Sequence, residues 1–155
     1  MFRRTLLYAG PPNSSRWYDV AGPGEKAGAR LLVYLRRRDG AGAGEFRKFL
    51  KKRLVPALAG SGVLNELRTQ TFLPWVEKLW DTPNVAHDNP HDQRFHASLI
   101  LGFTDTAARD AFFTGNVIRD LSDQLAPLVS AIHTYDVTAT LTYVKNGDLL
   151  PHYEE

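Results

Sequence analysis

Apolar positions along the chain change period from two to three-and-four and back, and the changes mark six elements. Ala29 to Arg37 (ARLLVYLRR) is a short, dense apolar run with an aromatic residue, as expected of a strand buried on both faces. From Glu45 to Leu58, Phe46, Phe49, Leu50, Leu54 and Leu58 recur at spacings of three and four. That spacing predicts a helix with one apolar stripe and Lys48, Lys51 and Lys52 opposite. Pro56 should kink or end it, and Gly60 to Gly62 should stop it. Val63 to Phe72 alternates in part, with Leu64, Glu66, Arg68 and Gln70 expected on one face and Val63, Asn65, Leu67 and Thr69 on the other. In Arg94 to Phe103, Phe95, Ala97, Leu99, Leu101 and Phe103 form a uniformly apolar face suited to packing under helices. Arg94, His96, Ser98, Ile100 and Gly102 would point away from the helices.

A second helical region follows, with Thr104 or Thr106 as its N-cap and Asp105 near its start. Gly115-Asn116 interrupts it, and Val117, Ile118, Leu121, Leu125, Leu128 and Val129 make the stripe of the main helix, with Pro127 bending the last turn. Ala131 to Val144 alternates as a strand, placing His133, Tyr135 and Val137 on one face and Asp136 and Thr138 on the other. Arg3 to Ala9 suggests a short strand. Gly10 to Gly28, rich in Gly, Pro, Ser and Asn, reads as a loop anchored by Trp17 and Tyr18. Arg36, Arg37 and Arg38 read as a solvated strand end. Asn146-Gly147 is a turn signal, and the tail after it folds back or reaches across a dimer.

The order strand, helix, strand, strand, helix, strand is the βαββαβ unit of ferredoxin-like α+β folds, an antiparallel sheet with both helices on one face. The opposite face carries Leu32, Tyr34 and Ile100. A second copy of the sheet would cover it, giving a homodimeric α+β barrel. The expected organisation is an N-terminal extension over 1–28, the barrel domain over 29–145 and a C-terminal tail over 146–155.

LLVYLRRRDGAGAGEFRKFLKKRLVPAL resembles the opening of EthD-like dimeric α+β-barrel proteins: strand, short loop, then E-F-R-x-aromatic and a proline late in the helix. The resemblance covers about Ala29 to Val144. It implies a dimer with an apolar pocket between sheet and helices. Activities in that superfamily include cofactor-free monooxygenases, lactone isomerases, polyketide cyclases, and haem-binding or haem-degrading members. Relatives often carry a histidine just before the late proline. Val55 stands there, so chemistry assigned to that histidine does not carry over.

Composition narrows the field. The chain of 155 residues is enough for one domain with a sizeable core. A formal net charge of +2, scattered along the chain, does not suggest a nucleic-acid partner. With no cysteine, disulfides, thiolate nucleophiles and cysteine-ligated metals are excluded. No run approaches the roughly 18 apolar residues of a membrane span, and Leu6 to Ala9 is too short for a signal peptide, so a cytoplasmic protein is expected.

The densest chemistry lies in LPWVEKLWDTPNVAHDNPHDQRFH, Leu73 to His96. Connections this long are commonly functional or disordered, and the tryptophans argue against disorder. The stretch is a candidate lid or pocket wall. A cofactor-independent enzyme acting on a hydrophobic aromatic or polyketide-like molecule needs a base near neutral pKa and a donor to a developing enolate or phenolate. His96, then His87 and His91, are the candidate bases. Tyr34 and Tyr135 are the candidate donors. Trp75, Trp80, Phe72, Ser98 and Ile100 would bind substrate. Two alternatives stay open. His87, Asp88, His91, Asp92 and His96 could ligate a metal, or a histidine could hold haem, although Pro90 breaks any helix aligning His87 with His91. The same barrel could also be a non-catalytic ligand-binding or stress-response module. The expected cofactor and metal assignments are none.

Overall fold

The computed structural model describes residues 8–9, 12–20, 27–74, 93–139, 144–145 and 148–149. Its centre is a fully antiparallel five-stranded sheet in the order β2 (Pro12–Tyr18), β4 (Leu64–Phe72), β6 (Ala97–Phe103), β3 (Ala29–Arg37) and β7 (Val129–Asp136). Two short pairs lie outside it. β1 (Tyr8–Ala9) runs parallel to β5 (Arg94–Phe95), and β8 (Val144–Lys145) pairs with β9 (Asp148–Leu149). Helices α1 (Ala43–Phe49) and α2 (Val55–Ala59), joined by a π-helical segment Leu50–Leu54, connect β3 to β4. Helices α3 (Thr106–Thr114) and α4 (Asn116–Leu125) connect β6 to β7. Without β2 this is the ferredoxin-like βαββαβ unit, and the chain has that fold.

Strand alternation decides what is buried. Leu31, Val33 and Leu35 of β3 and Ala97, Leu99, Leu101 and Phe103 of β6 face the helices. There they meet Phe46, Phe49, Leu50, Leu54, Val55 and Leu58 from the first helical layer and Phe112 and Leu121 from the second. Phe103 is fully buried, its ring centroid 5.4 Å from that of Phe112. The other face carries Leu32, Tyr34 and Ile100, as the pattern required.

Several local expectations give way. Pro12–Tyr18, expected as loop, is a strand on the edge of β4: Tyr18 packs against the core while Trp17 is 70% exposed beneath the Arg68 guanidinium. Its polar sequence shows no apolar alternation because one flank and one face are open. Pro56 does not end the first helix. The ladder widens before it, with Val55 N–H bonding to Leu50 O, and helix continues to Ala59. The N-cap of α3 is Asp105, whose Oδ1 accepts from Ala108 N–H at 2.7 Å, rather than a threonine. Helix α4 closes at Leu125. Pro127 lies beyond it, and Leu128 and Val129 enter the core from the following turn and strand. Strand β7 ends at Asp136, short of the expected Val144; residues 140–143 lie outside the described residues.

Two irregularities change which side chains face the helices. A bulge between Leu64 and Glu66 puts Leu64, like Leu67, in the core and leaves Glu66, Arg68 and Gln70 on the open face. A break at His96, between β5 and β6, puts Phe95 on the open face and turns His96 toward α1. Over Gly102, in the middle strand, Glu66 meets Arg30 from the strand beyond at 2.6 Å and also pairs with Arg68. The three arginines at the end of β3 and just beyond it are not a solvated end. Arg37 donates to Ala41 O, Arg38 donates to Ala126 O at 2.9 Å, and Arg36 lies over the Phe95 ring at 5.0 Å. Gly40, at φ 84°, supplies the turn that follows them.

Candidate functional site

His96 stands where β4 and β3 flank the start of β6. Its N–H donates to Leu35 O at 2.9 Å, and its carbonyl accepts from Phe72 N–H at 3.0 Å, so its backbone is tied to both neighbours. The ring sits edge-on to Phe46 of α1, centroids 6.3 Å apart. Nδ1 accepts from the Arg37 N–H at 3.1 Å. A nitrogen that accepts is unprotonated, so the neutral ring carries its proton on Nε2. Burial, with the Arg37 and Arg36 charges adding to it, lowers the His96 pKa from 6.5 to about 4. At neutral pH the ring is uncharged, and Nε2–H is a donor with no acceptor among the described residues.

This ring lines a cleft of about 190 Å³ with Phe46, Phe72, Leu73, Arg37, Arg47, Arg94 and Asp39. Asp39 is the one carboxylate in that lining among the described residues. A base acting through Nδ1 is ruled out by the strand amide that occupies it. What His96 can do in this tautomer is donate to a developing oxyanion. Asp39 and Arg37 escaped the sequence reading, which saw a flexible turn and a solvated strand end, and Arg47 entered it only within the E-F-R motif. Only their convergence marks them, and no spacing in the sequence reveals it.

The other candidate residues do not all share that cleft. Tyr34, Ser98 and Ile100 border a hollow of about 250 Å³ on the opposite, open face of the sheet. Tyr135 is also on that face, its ring 6.3 Å from that of Tyr34. His133, whose ring lies 5.0 Å from that of Phe95, faces the same way from the middle of β7. Phe72 alone of the proposed substrate-binding residues accompanies His96. Trp75, Trp80, His87 and His91 lie outside the described residues, as do Asp88 and Asp92 of the possible ligand set. Among the described residues no group of three His, Asp or Glu stands together as a metal site would require.

Two further cavities lie on the helix side. One of about 220 Å³ separates α4 from β3, β6 and β7. It is lined by aliphatic and aromatic side chains with only Ser122 and Thr134 as polar members, so it offers packing but no proton transfer. The other, about 160 Å³, lies between the β2–β4 edge and the π-helical segment. It shares Arg47 and Thr71 with the His96 cleft.

No protein-family model and no curated protein matches the chain. Solved structures do. The chain is similar to a hypothetical protein of Arabidopsis thaliana at 11% identity and a TM-score of 0.52, over 79% of this chain and 96% of that one. A dimeric ferredoxin-like protein of unknown function from Thermobifida fusca scores 0.48 at 11% identity, over 72% and 90% of the two chains. A DABB family protein with a ferredoxin-like fold from Mesorhizobium loti scores 0.47 at 16% identity, over 74% and 99%. At such identities the likeness is one of fold. Among the described residues no helix is long and apolar enough to cross a membrane.

Proposed function

We propose that the chain is a cofactor-independent enzyme acting on a small molecule with an aromatic or polyketide-like body, and that the His96 cleft is its active site. The observation that carries this reading is the neutral His96 ring, one nitrogen filled by a strand amide and the other presenting N–H beside Phe46 and Phe72. The chemistry that suits it is proton abstraction beside a carbonyl. Asp39 takes the proton, the C–H electrons move into the carbonyl to form an enolate, and His96 Nε2–H stabilises the oxygen. Isomerases, cyclases and cofactor-free monooxygenases share that first step, and the resemblance to EthD-like barrels points the same way. Titration with a panel of aromatic 1,3-diketones, followed by amide shifts and by solvent deuterium exchange at the substrate, tests it. Asp39→Asn should abolish exchange while leaving binding intact, and His96→Asn should slow it by about 10²-fold. Ligands that shift only the Tyr34–Ile100 face would overturn the site.

The chain is further proposed to act as a homodimer joined through the open sheet face. Leu32, Tyr34 and Ile100 stand on that face beside the exposed Trp17, an array that a monomer would leave in water.

A further inference from the structure

The cavity beside the His96 cleft has a distinct chemistry. Arg16 from β2, Arg47 from α1 and Lys51 from the π-helical segment line it, and no acidic residue does. Among the described residues none of the three cations has an ion pair, whereas Arg30, Arg68 and Arg109 are each matched to a carboxylate. Hydroxyls fill the wall between them: Ser14 and Thr71 share a hydrogen bond of 2.7 Å, and Thr69 donates to Tyr18 OH at 3.4 Å. Leu50, Val55 and Leu99 make an apolar floor. The helix widens into its π turn at this point, a distortion that recurs at functional sites.

We propose that this cavity is an anion subsite, taking the carboxylate or phosphate group of the ligand whose body lies in the adjoining His96 cleft. Arg47 and Thr71, which border both, make the two spaces one groove. Three solvent-exposed cations, Arg16 from β2 and Arg47 and Lys51 one turn apart on the first helix, border this carboxylate-free space, where a carboxylate or phosphate would take charge-assisted hydrogen bonds. The inference rests on the reading of the His96 cleft as a small-molecule site, but it concerns the charge of the ligand and not its reaction.

Calorimetric titration of the full chain with 2-naphthoate, its neutral primary amide and 2-naphthyl phosphate tests it. At low salt one or both anions should bind about tenfold or more tightly than the amide. The advantage should shrink with added sodium chloride and vanish in an R16Q/K51Q double variant that still binds the amide. A tighter phosphate or a tighter carboxylate would each support the subsite and tell which group it favours. Equal binding of acid, phosphate and amide would overturn the anion subsite and leave the apolar cleft standing. Failure of all three would overturn both. An advantage for the anions that survives R16Q/K51Q would also overturn the assignment, since these residues would then not be its source.

Discussion

The imidazole of His96 is held between a strand amide and an aromatic ring, and that setting has a pH consequence. Its folded pKa of about 4 lies below the ordinary 6.5. Between those values the unfolded chain binds a proton that the folded chain refuses, so stability present above pH 6.5 is lost as the pH falls through 4. The difference between wild type and His96→Asn unfolding free energies should therefore vary across this window, by on the order of 2 kcal/mol after allowing for partial exposure, and be flat above pH 7. A difference that does not change between pH 7 and 4 would contradict the assignment. Gly102 is a second single-residue constraint. A Cβ there would lie 2.6 Å from the Glu66 Cβ and 2.8 Å from that of Ala27. Gly102→Ala should cost about 2 kcal/mol, seen as a lower denaturation midpoint at unchanged slope.

At the scale of elements, strand β2 is bonded along one flank only, to β4, yet it supplies Arg16, Ser14 and Tyr18 to a cavity wall. Removing residues 1–20 should leave the βαββαβ unit folded but less stable, expose the β4 edge and promote association, measurable by sedimentation and chemical unfolding. Unchanged stability would mean the strand contributes nothing to the sheet. The elements that could be read from sequence were those with a strong apolar signal: the dense β3 run, read as buried on both faces though only alternate residues are, the Phe46-to-Leu58 stripe, and the alternation of β6. Their order was enough to specify the ferredoxin-like topology. What period-two reading cannot detect is a register change. The bulge after Leu64 and the break at His96 each insert a residue that breaks the alternation, so the faces assigned to Leu64, Phe95 and His96 were reversed. The candidate site suffered most from this. His96 was identifiable as a residue of interest, but its neighbours come from a turn, a strand end and a helix whose convergence only tertiary structure shows. Strand β2 escaped because an edge strand with polar side chains carries no apolar period.

For the whole molecule, the two faces of the sheet divide the work: the helix side holds the core and the proposed site, and the open side holds Leu32, Tyr34 and Ile100 around a hollow of its own. If that side joins two copies, Ile100→Arg should yield a monomer by sedimentation equilibrium with secondary structure intact, since Ile100 lines neither the His96 cleft nor the cavity beside it. A dimer that persists would place the contact elsewhere. The chain of charge that crosses Gly102 then acquires a different significance. Among the described residues, Arg30 and Arg68 stand there against Glu66, two positive charges to one negative, a surplus of one that each copy would bring to the same seam. Self-association through it would be opposed by its own electrostatics, so raising the ionic strength should tighten the pair where most charged contacts loosen.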